Sequence, residues 1–333
     1  MVADVDELST GVVDGDRRSL ARAITLVEST RTDHRAHAVE LIERLLPATG
    51  DSTRLGISGP PGVGKSTFIE AFGLHVIGEG HRVAVLAVDP SSRRSGGSIL
   101  GDKTRMSELG RHPDAFIRPT PTGGTLGGLA RRTREALLLC EAAGFDIVIV
   151  ETVGVGQSET AVSDLVDLFL LLVAPGGGDD LQGIKRGIME LADLVVVNKA
   201  DGDLAAAAHR TAADYRNALG LMRPRWDGAA PEVLTASALD QTGIAEVWSA
   251  ASSLARAAAD VGERDRRRAE QARSWMWDEL REELLARLLA EPEVAAAVAQ
   301  IEAEVAAGRQ APAAGADEIL RQARVARHRG DSS

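Results

Sequence analysis

Arg54-Leu55-Gly56-Ile57-Ser58-Gly59-Pro60-Pro61-Gly62-Val63-Gly64-Lys65-Ser66-Thr67 decides the fold. Gly59, Gly64, Lys65 and Ser66 satisfy G-x-x-x-x-G-K-[ST], the pattern of a phosphate-binding loop. A short apolar run, Leu55 to Ile57, precedes it and reads as a strand. Phe68, Ile69, Phe72, Leu74 and Val76 follow at roughly helical spacing. Strand, glycine loop and helix are the context the pattern requires. Glycines let the backbone curl so that its N–H groups point inward at phosphate oxygens. The helix beginning near Lys65 adds the positive end of its dipole. Lys65 brings a full charge to the β- and γ-phosphates, and the Ser66 hydroxyl is a ligand for Mg²⁺. The stretch Gly59, Pro60, Pro61, Gly62, Val63, Gly64, Lys65, Ser66, Thr67 is therefore the expected nucleotide-phosphate site.

Composition narrows the surroundings. Of the 333 residues 44 % are hydrophobic but only 3 % aromatic, so the core must be aliphatic. The net charge of −11 argues against nucleic acid as a partner. One cysteine, Cys140, excludes an intrachain disulfide and a cysteine-rich metal site; it falls in an apolar run and reads as a core residue. No apolar stretch reaches the ~18 residues of a membrane span. Residues 1–16 are acidic and show no signal-peptide pattern, so the expectation is a cytoplasmic protein. They read as a loose terminus. Arg17 to Leu46 reads as one or two helices ended by Pro47 and packed on the core.

Downstream, near-continuous apolar runs announce parallel strands covered on both faces. Arg82 to Val88 ends in Asp89, which places a carboxylate at the strand's C-terminal end, beside the phosphate loop. Residues 91–104, with Asp102 and paired arginines, suit a loop that senses phosphate or metal. Ala115 to Ile117 is a short strand candidate and Leu129 to Ala143 a helix. Phe145 to Val150 runs into Glu151-Thr152-Val153-Gly154. An acid at the end of a buried strand, three positions before a glycine, is how phosphate-loop enzymes sense the γ-phosphate. Glu151 would hold Mg²⁺ and the Gly154 N–H would bond the γ-phosphate. Val155 stands directly after that glycine, where many relatives of such enzymes carry a water-orienting Gln, so unaided turnover should be slow; Gln157 is a weaker candidate for that task.

Val166 to Val173 is a further strand, leading into the glycine- and aspartate-rich segment Gly176 to Lys185. Leu194 to Val197 ends in Asn198-Lys199-Ala200-Asp201. Guanine presents N1–H and its 2-amino group side by side, and one carboxylate accepts both, whereas adenine presents an acceptor that repels it. Asp201 is therefore the expected guanine reader, with Lys199 along the base and Asn198 bracing the loop. Ser237 and Ala238, after the strand Val233 to Thr235, suit a backbone N–H contact with the guanine carbonyl. Beyond residue 260, Glu263 to Arg268 is a charged break, read as a solvated helix face. Trp277, Leu280, Leu284 and Leu288 form an apolar stripe in a helical tail that prefers a second subunit as partner.

The expected class is α/β: a three-layer P-loop NTPase core with a mainly parallel sheet over residues 51–260. A helical extension covers residues 1–50, and a helical dimerisation arm residues 261–333. The ligands are GTP, GDP and Mg²⁺.

Read in order, Gly-Pro-Pro-Gly-Val-Gly-Lys-Ser-Thr, Val-Asp-Pro-Ser-Ser, Gly-Asp-Lys-Thr-Arg-Met, Glu-Thr-Val-Gly-Val-Gly-Gln-Ser-Glu and Asn-Lys-Ala-Asp make the chain resemble the MeaB/ArgK family across its length. That resemblance implies a homodimeric GTPase chaperone of adenosylcobalamin-dependent methylmalonyl-CoA mutase, gating cofactor loading and protecting the mutase. It implies a cobalamin adenosyltransferase as a further partner. It puts Ser66, Asp89, Asp102 and Glu151 around the metal, with Lys65, Asp102 and Glu151 as catalytic groups. It also makes Gly176 to Lys185, with Asp180 and Lys185, a loop that relays nucleotide state. Two rivals are a small-molecule or transport-system kinase or ATPase, which would need an acceptor pocket and lid, and a nickel-insertion GTPase. The second would need Cys or His clusters, against one Cys and seven scattered His here. A protein-targeting GTPase would need a methionine-rich domain that this chain lacks.

Overall fold

The computed structural model describes residues 4–88, 106–120, 126–152, 158–176, 186–222, 225–226 and 231–330. Among these, seven strands form one parallel sheet: β1 (Thr53–Ser58), β2 (Val83–Val88), β3 (Ala115–Thr120), β4 (Ile147–Thr152), β5 (Leu168–Val173), β6 (Leu194–Val197) and β7 (Glu232–Thr235). Their order is β3-β2-β4-β1-β5-β6-β7. β2, β4, β5 and β6 are buried along their whole length, which is why they read as unbroken apolar runs. β1 lies between β4 and β5, with Ile57 opposite Glu151 and opposite Leu170. The chain builds outward to one side of β1 and then crosses to the other. The crevice above its C-terminal end is thus a topological switch point, the place where open α/β sheets bind ligands.

Helix α4 (Lys65–Gly78) follows β1 and buries Phe68, Ile69, Phe72 and Val76. Phe68 and Phe72 stack with ring centroids 5.7 Å apart. β3 runs to Thr120, three residues beyond the expected strand. It is an edge strand, so the missing N–H of Pro119 costs no sheet partner.

The N-terminal region departs from expectation. In place of a loose terminus, residues 5–13 form α1 (Val5–Val13), capped by the Asp4 carboxylate and burying Val5, Leu8 and Val12. α2 (Arg17–Val27) is capped by Asp16 and buries Leu20, Ala23 and Ile24; α3 (Thr32–Leu45) follows. Gly11 permits the close approach of the first two: a Cβ there would lie 2.4 Å from Ser19 Oγ. Together they lean on α5 (Leu126–Ala142). Two ion pairs pin them, Arg118 to Glu28 and Arg35 to Glu135. Burial pushes the Glu28 carboxyl above the usual range, against the pull of Arg118. Cys140 is fully buried in α5, and burial pushes its thiol up, which keeps it unreactive.

Among the described residues the further α-helices are α6 (Ser158–Ser163), α7 (Arg186–Met189), α8 (Ala205–Leu219), α9 (Ile244–Asp260), α10 (Glu263–Ala290), α11 (Pro292–Ala306) and α12 (Pro312–Gly330). The chain divides into two compact units inside α10, residues 1–271 and 272–333. In the first, the arginine-rich start of α10 is not the solvated face the sequence suggested. Arg266 is exposed, but the side chains of Arg267 and Arg268 are only 11 % and 13 % exposed. Arg268 holds Asp167 in a two-pronged pair at 2.6 and 2.8 Å and donates to Gly50 and Ser52 carbonyls; Gln271 donates to Val166 O. In the second unit α11 and α12 pack together, Gly315 seating against Ile301 and Val305. Met276, Trp277, Leu280, Leu284 and Leu285 of α10 are exposed. Among the described residues no helix is long and apolar enough to cross a membrane.

Candidate functional site

The glycine loop crosses the C-terminal end of β1 and feeds α4. Gly59 passes so close to β5 that a Cβ would sit 2.4 Å from Leu172 O, which excludes any other residue. Gly64 caps α4 with φ +92°, a left-handed conformation that favours glycine; a Cβ there would also meet Asn198 Nδ2 at 2.9 Å. Lys65 Nζ donates to Gly59 O at 2.7 Å and to Pro60 O at 3.2 Å. Its ammonium thus lies over the loop whose N–H groups form the expected phosphate cradle.

Ser66 and Glu151 meet. The Ser66 hydroxyl donates to Glu151 Oε1 at 3.4 Å, from the first turn of α4 to the end of β4. Glu151 is 8 % exposed. A hydroxyl and a carboxylate side by side are hard oxygen donors, and this pair fits Mg²⁺. Asp89, Asp102 and Gly154, expected around the same metal and phosphate, lie outside the described residues, as do Val155 and Gln157. So do residues 177–185, including Asp180 and Lys185.

Sequence reading missed a link beneath this pair. Ser58 and Thr152, both fully buried, join hydroxyl to hydroxyl at 2.7 Å across the ends of β1 and β4. The bond ties the residue before Gly59 to the residue after Glu151. The signal was faint: one small polar residue at the end of each of two apolar strands. A second such tie is Thr211 of α8, whose Oγ1 accepts the Gly176 N–H at 3.1 Å, where β5 gives way to the next loop. Nothing in the sequence marks Thr211.

The Asn198-Lys199-Ala200-Asp201 segment follows β6 and is bound to the glycine loop. Asn198 Nδ2 donates to Val63 O at 2.9 Å, and its Oδ1 accepts the Ala238 N–H at 3.3 Å. Lys199 adopts φ +62° and reaches Gly62 O at 2.7 Å. The Ser237 hydroxyl, fully buried, donates to Asp201 Oδ2 and accepts the Asp240 N–H. The Ala200 N–H bonds to Ala236 O at 3.0 Å. Residues 59–67, Asn198, Lys199, Asp201, Ser237 and Ala238 are thus one connected assembly at the C-terminal edge. Gly243, with φ +74°, lets the following turn press against Thr235 O.

A parallel sheet with this loop at its switch point, an acid at the end of β4 and Asn-Lys-x-Asp after β6 define a P-loop GTPase. The family model described as methylmalonyl Co-A mutase-associated GTPase MeaB matches residues 20–293. The chain belongs to that family. It is 56 % identical over 317 residues to a putative GTPase of Caulobacter vibrioides, covering 95 % of this chain and 97 % of that one. It is 49 % identical over 327 residues to the mitochondrial methylmalonic aciduria type A homolog of Mus musculus, covering 95 % and 79 %. Among solved structures, that of an LAO/AO transport system kinase superposes with a TM-score of 0.75 at 40 % identity, covering 95 % of this chain and 96 % of the other.

Proposed function

We propose that this GTPase binds GTP·Mg²⁺ at the C-terminal edge of its sheet and serves as a chaperone of methylmalonyl-CoA mutase, gating adenosylcobalamin loading and protecting the mutase. The observation that carries the nucleotide part is the bonded assembly of residues 59–67 with Asn198, Asp201 and Ser237. The mutase part rests on family membership over residues 20–293.

In this reading the loop N–H groups and Lys65 receive the triphosphate, and Asp201, oriented by the Ser237 hydroxyl, accepts the two guanine donors. Asn198 holds the base loop and the phosphate loop in register through Val63 O. Ser66 and Glu151 would hold Mg²⁺, with Asp89 and Asp102 as the further acids; bound there, the ion neutralises charge on the phosphate oxygens. Water attacks the γ-phosphorus in line, and the protein's contribution is positioning and electrostatics. The relay to a partner is assigned to Gly176 to Lys185, anchored at its start by Thr211. The exposed stripe on α10 is assigned to a homodimer contact, and a cobalamin adenosyltransferase is the second partner.

The test is GTP hydrolysis by the full chain with and without methylmalonyl-CoA mutase. The expected result is acceleration by the mutase. Equal rates would remove the chaperone assignment and leave the GTPase in place.

A further inference from the structure

The opposite edge of the sheet holds a cavity of about 480 Å³ that the nucleotide site does not use. Its floor is the N-terminal ends of three neighbouring strands, at Thr53, Ile147 and Leu168. One wall is a single face of α9, where Trp248, Ser252, Ala255 and Ala259 recur at helical spacing. The other is the first turns of α10, beyond the corner made by Gly262 at φ +72°. His81 closes a side, its ring 5.3 Å from that of Trp248. The volume lies within the range of small-molecule sites, about 300–1,000 Å³.

The charges lining it sort into engaged and unengaged. Asp167 is held by Arg268 and the Arg54 N–H; Glu263 is held by Arg266; Asp146 accepts the Arg82 N–H at 2.7 Å. Arg267 is bonded to Asp167 O. Two cations remain. Arg256 donates through Nε to Ser252 O of its own helix, and Arg264 through Nε to the exposed carboxylate of its neighbour Asp265. Among the described residues the terminal nitrogens of neither guanidinium have a partner. Against them stands one unengaged acid, Asp51.

We infer that this cavity binds a small organic anion, a carboxylate or phosphate ester with a ring-sized apolar body. The body would lie on Trp248, Ile147, Leu168 and the α9 alanines, and the anionic group would meet Arg256 and Arg264. A guanidinium offers such groups two parallel N–H donors, and two of them select an anion over a cation of the same shape. Because one wall is the root of α10, the ligand would bridge the sheet to the helix that leads into the second unit.

Calorimetric titration of the full chain, loaded with GDP, tests this with four probes: indole-3-propionate, 1-naphthyl phosphate, inorganic phosphate and tryptamine. At least one of the two aromatic anions should bind with a dissociation constant below about 1 mM, and the tighter one names the anionic group. Tryptamine, with the same ring and the opposite charge, should bind at least about tenfold more weakly. The double variant Arg256→Gln/Arg264→Gln should weaken the anion about tenfold or more, and Ala255→Leu, which fills the cavity, should abolish its binding. The inference is overturned if neither aromatic anion binds, if tryptamine or inorganic phosphate binds as well, or if the arginine variant binds the anion unchanged.

Discussion

The two edges of the sheet are held together differently. At the N-terminal edge, three arginines end on carboxylates. Arg54 pairs with Glu141 through two bonds at 2.8 and 2.9 Å, Arg268 with Asp167, and Arg225 with Asp193 at 3.0 Å, all at groups largely out of solvent. Glu141 also takes the Ser52 hydroxyl and the Gly50 N–H. At the C-terminal edge, Lys65 and Lys199 donate to backbone carbonyls of the glycine loop. Around these three pairs the first edge is closed on itself, leaving only Arg256 and Arg264 of the cavity described above; at the second, two lysines are laid along the backbone of the glycine loop.

That contrast can be broken by substitution. The largest effect belongs to the closed edge. Glu141→Ala strands the Arg54 guanidinium in the interior and should cost about 3–5 kcal/mol in urea unfolding, with GDP affinity of the folded protein unchanged within about twofold. A loss of nucleotide affinity as large as the loss of stability would erase the distinction between the edges. Lys65→Ala should do the reverse. Steady-state GTP hydrolysis should fall about 10²–10³-fold, while the unfolding midpoint of the nucleotide-free protein stays close to wild type. The smallest effect falls on the link beneath Ser66 and Glu151, the pair proposed to hold Mg²⁺. Thr152→Val leaves the Ser58 hydroxyl buried without its partner, costing about 1–3 kcal/mol. It should also raise the Mg²⁺ concentration for half-maximal hydrolysis without changing GDP affinity in EDTA. An unchanged Mg²⁺ dependence would reduce the pair to a packing detail.

The same contrast explains what was legible beforehand. Local rules mark the edge proposed to hold nucleotide: glycines where the backbone must turn or pass close, an acid at a strand end, a four-residue segment expected to read the base. Each of those signals lies within a few residues of the position it predicts. The closed edge is built from partners 32 to 218 positions apart in the chain, such as Arg225 with Asp193, Arg54 with Glu141 and Arg268 with Gly50, and no local pattern reports such pairs. Hence Arg267 and Arg268 read as solvated although their side chains are largely withdrawn from solvent. α1 was missed for a related reason. Only Val5, Leu8 and Val12 are buried along it, and Gly11, which sequence treats as a breaker, is there so that two helices can touch. The parallel strands needed no such help, since burial on both faces writes itself into the sequence as an apolar run.

The central claim is that the C-terminal edge reads guanine through Asp201. The most direct test is to measure dissociation constants for GTP and ATP, with Mg²⁺ present, for the wild-type chain and for Asp201→Asn. The wild type should bind GTP at least about 100-fold more tightly than ATP. The substitution should remove most of that preference by weakening GTP alone. Equal binding of the two nucleotides by the wild type, or a preference that survives Asp201→Asn, would contradict the account.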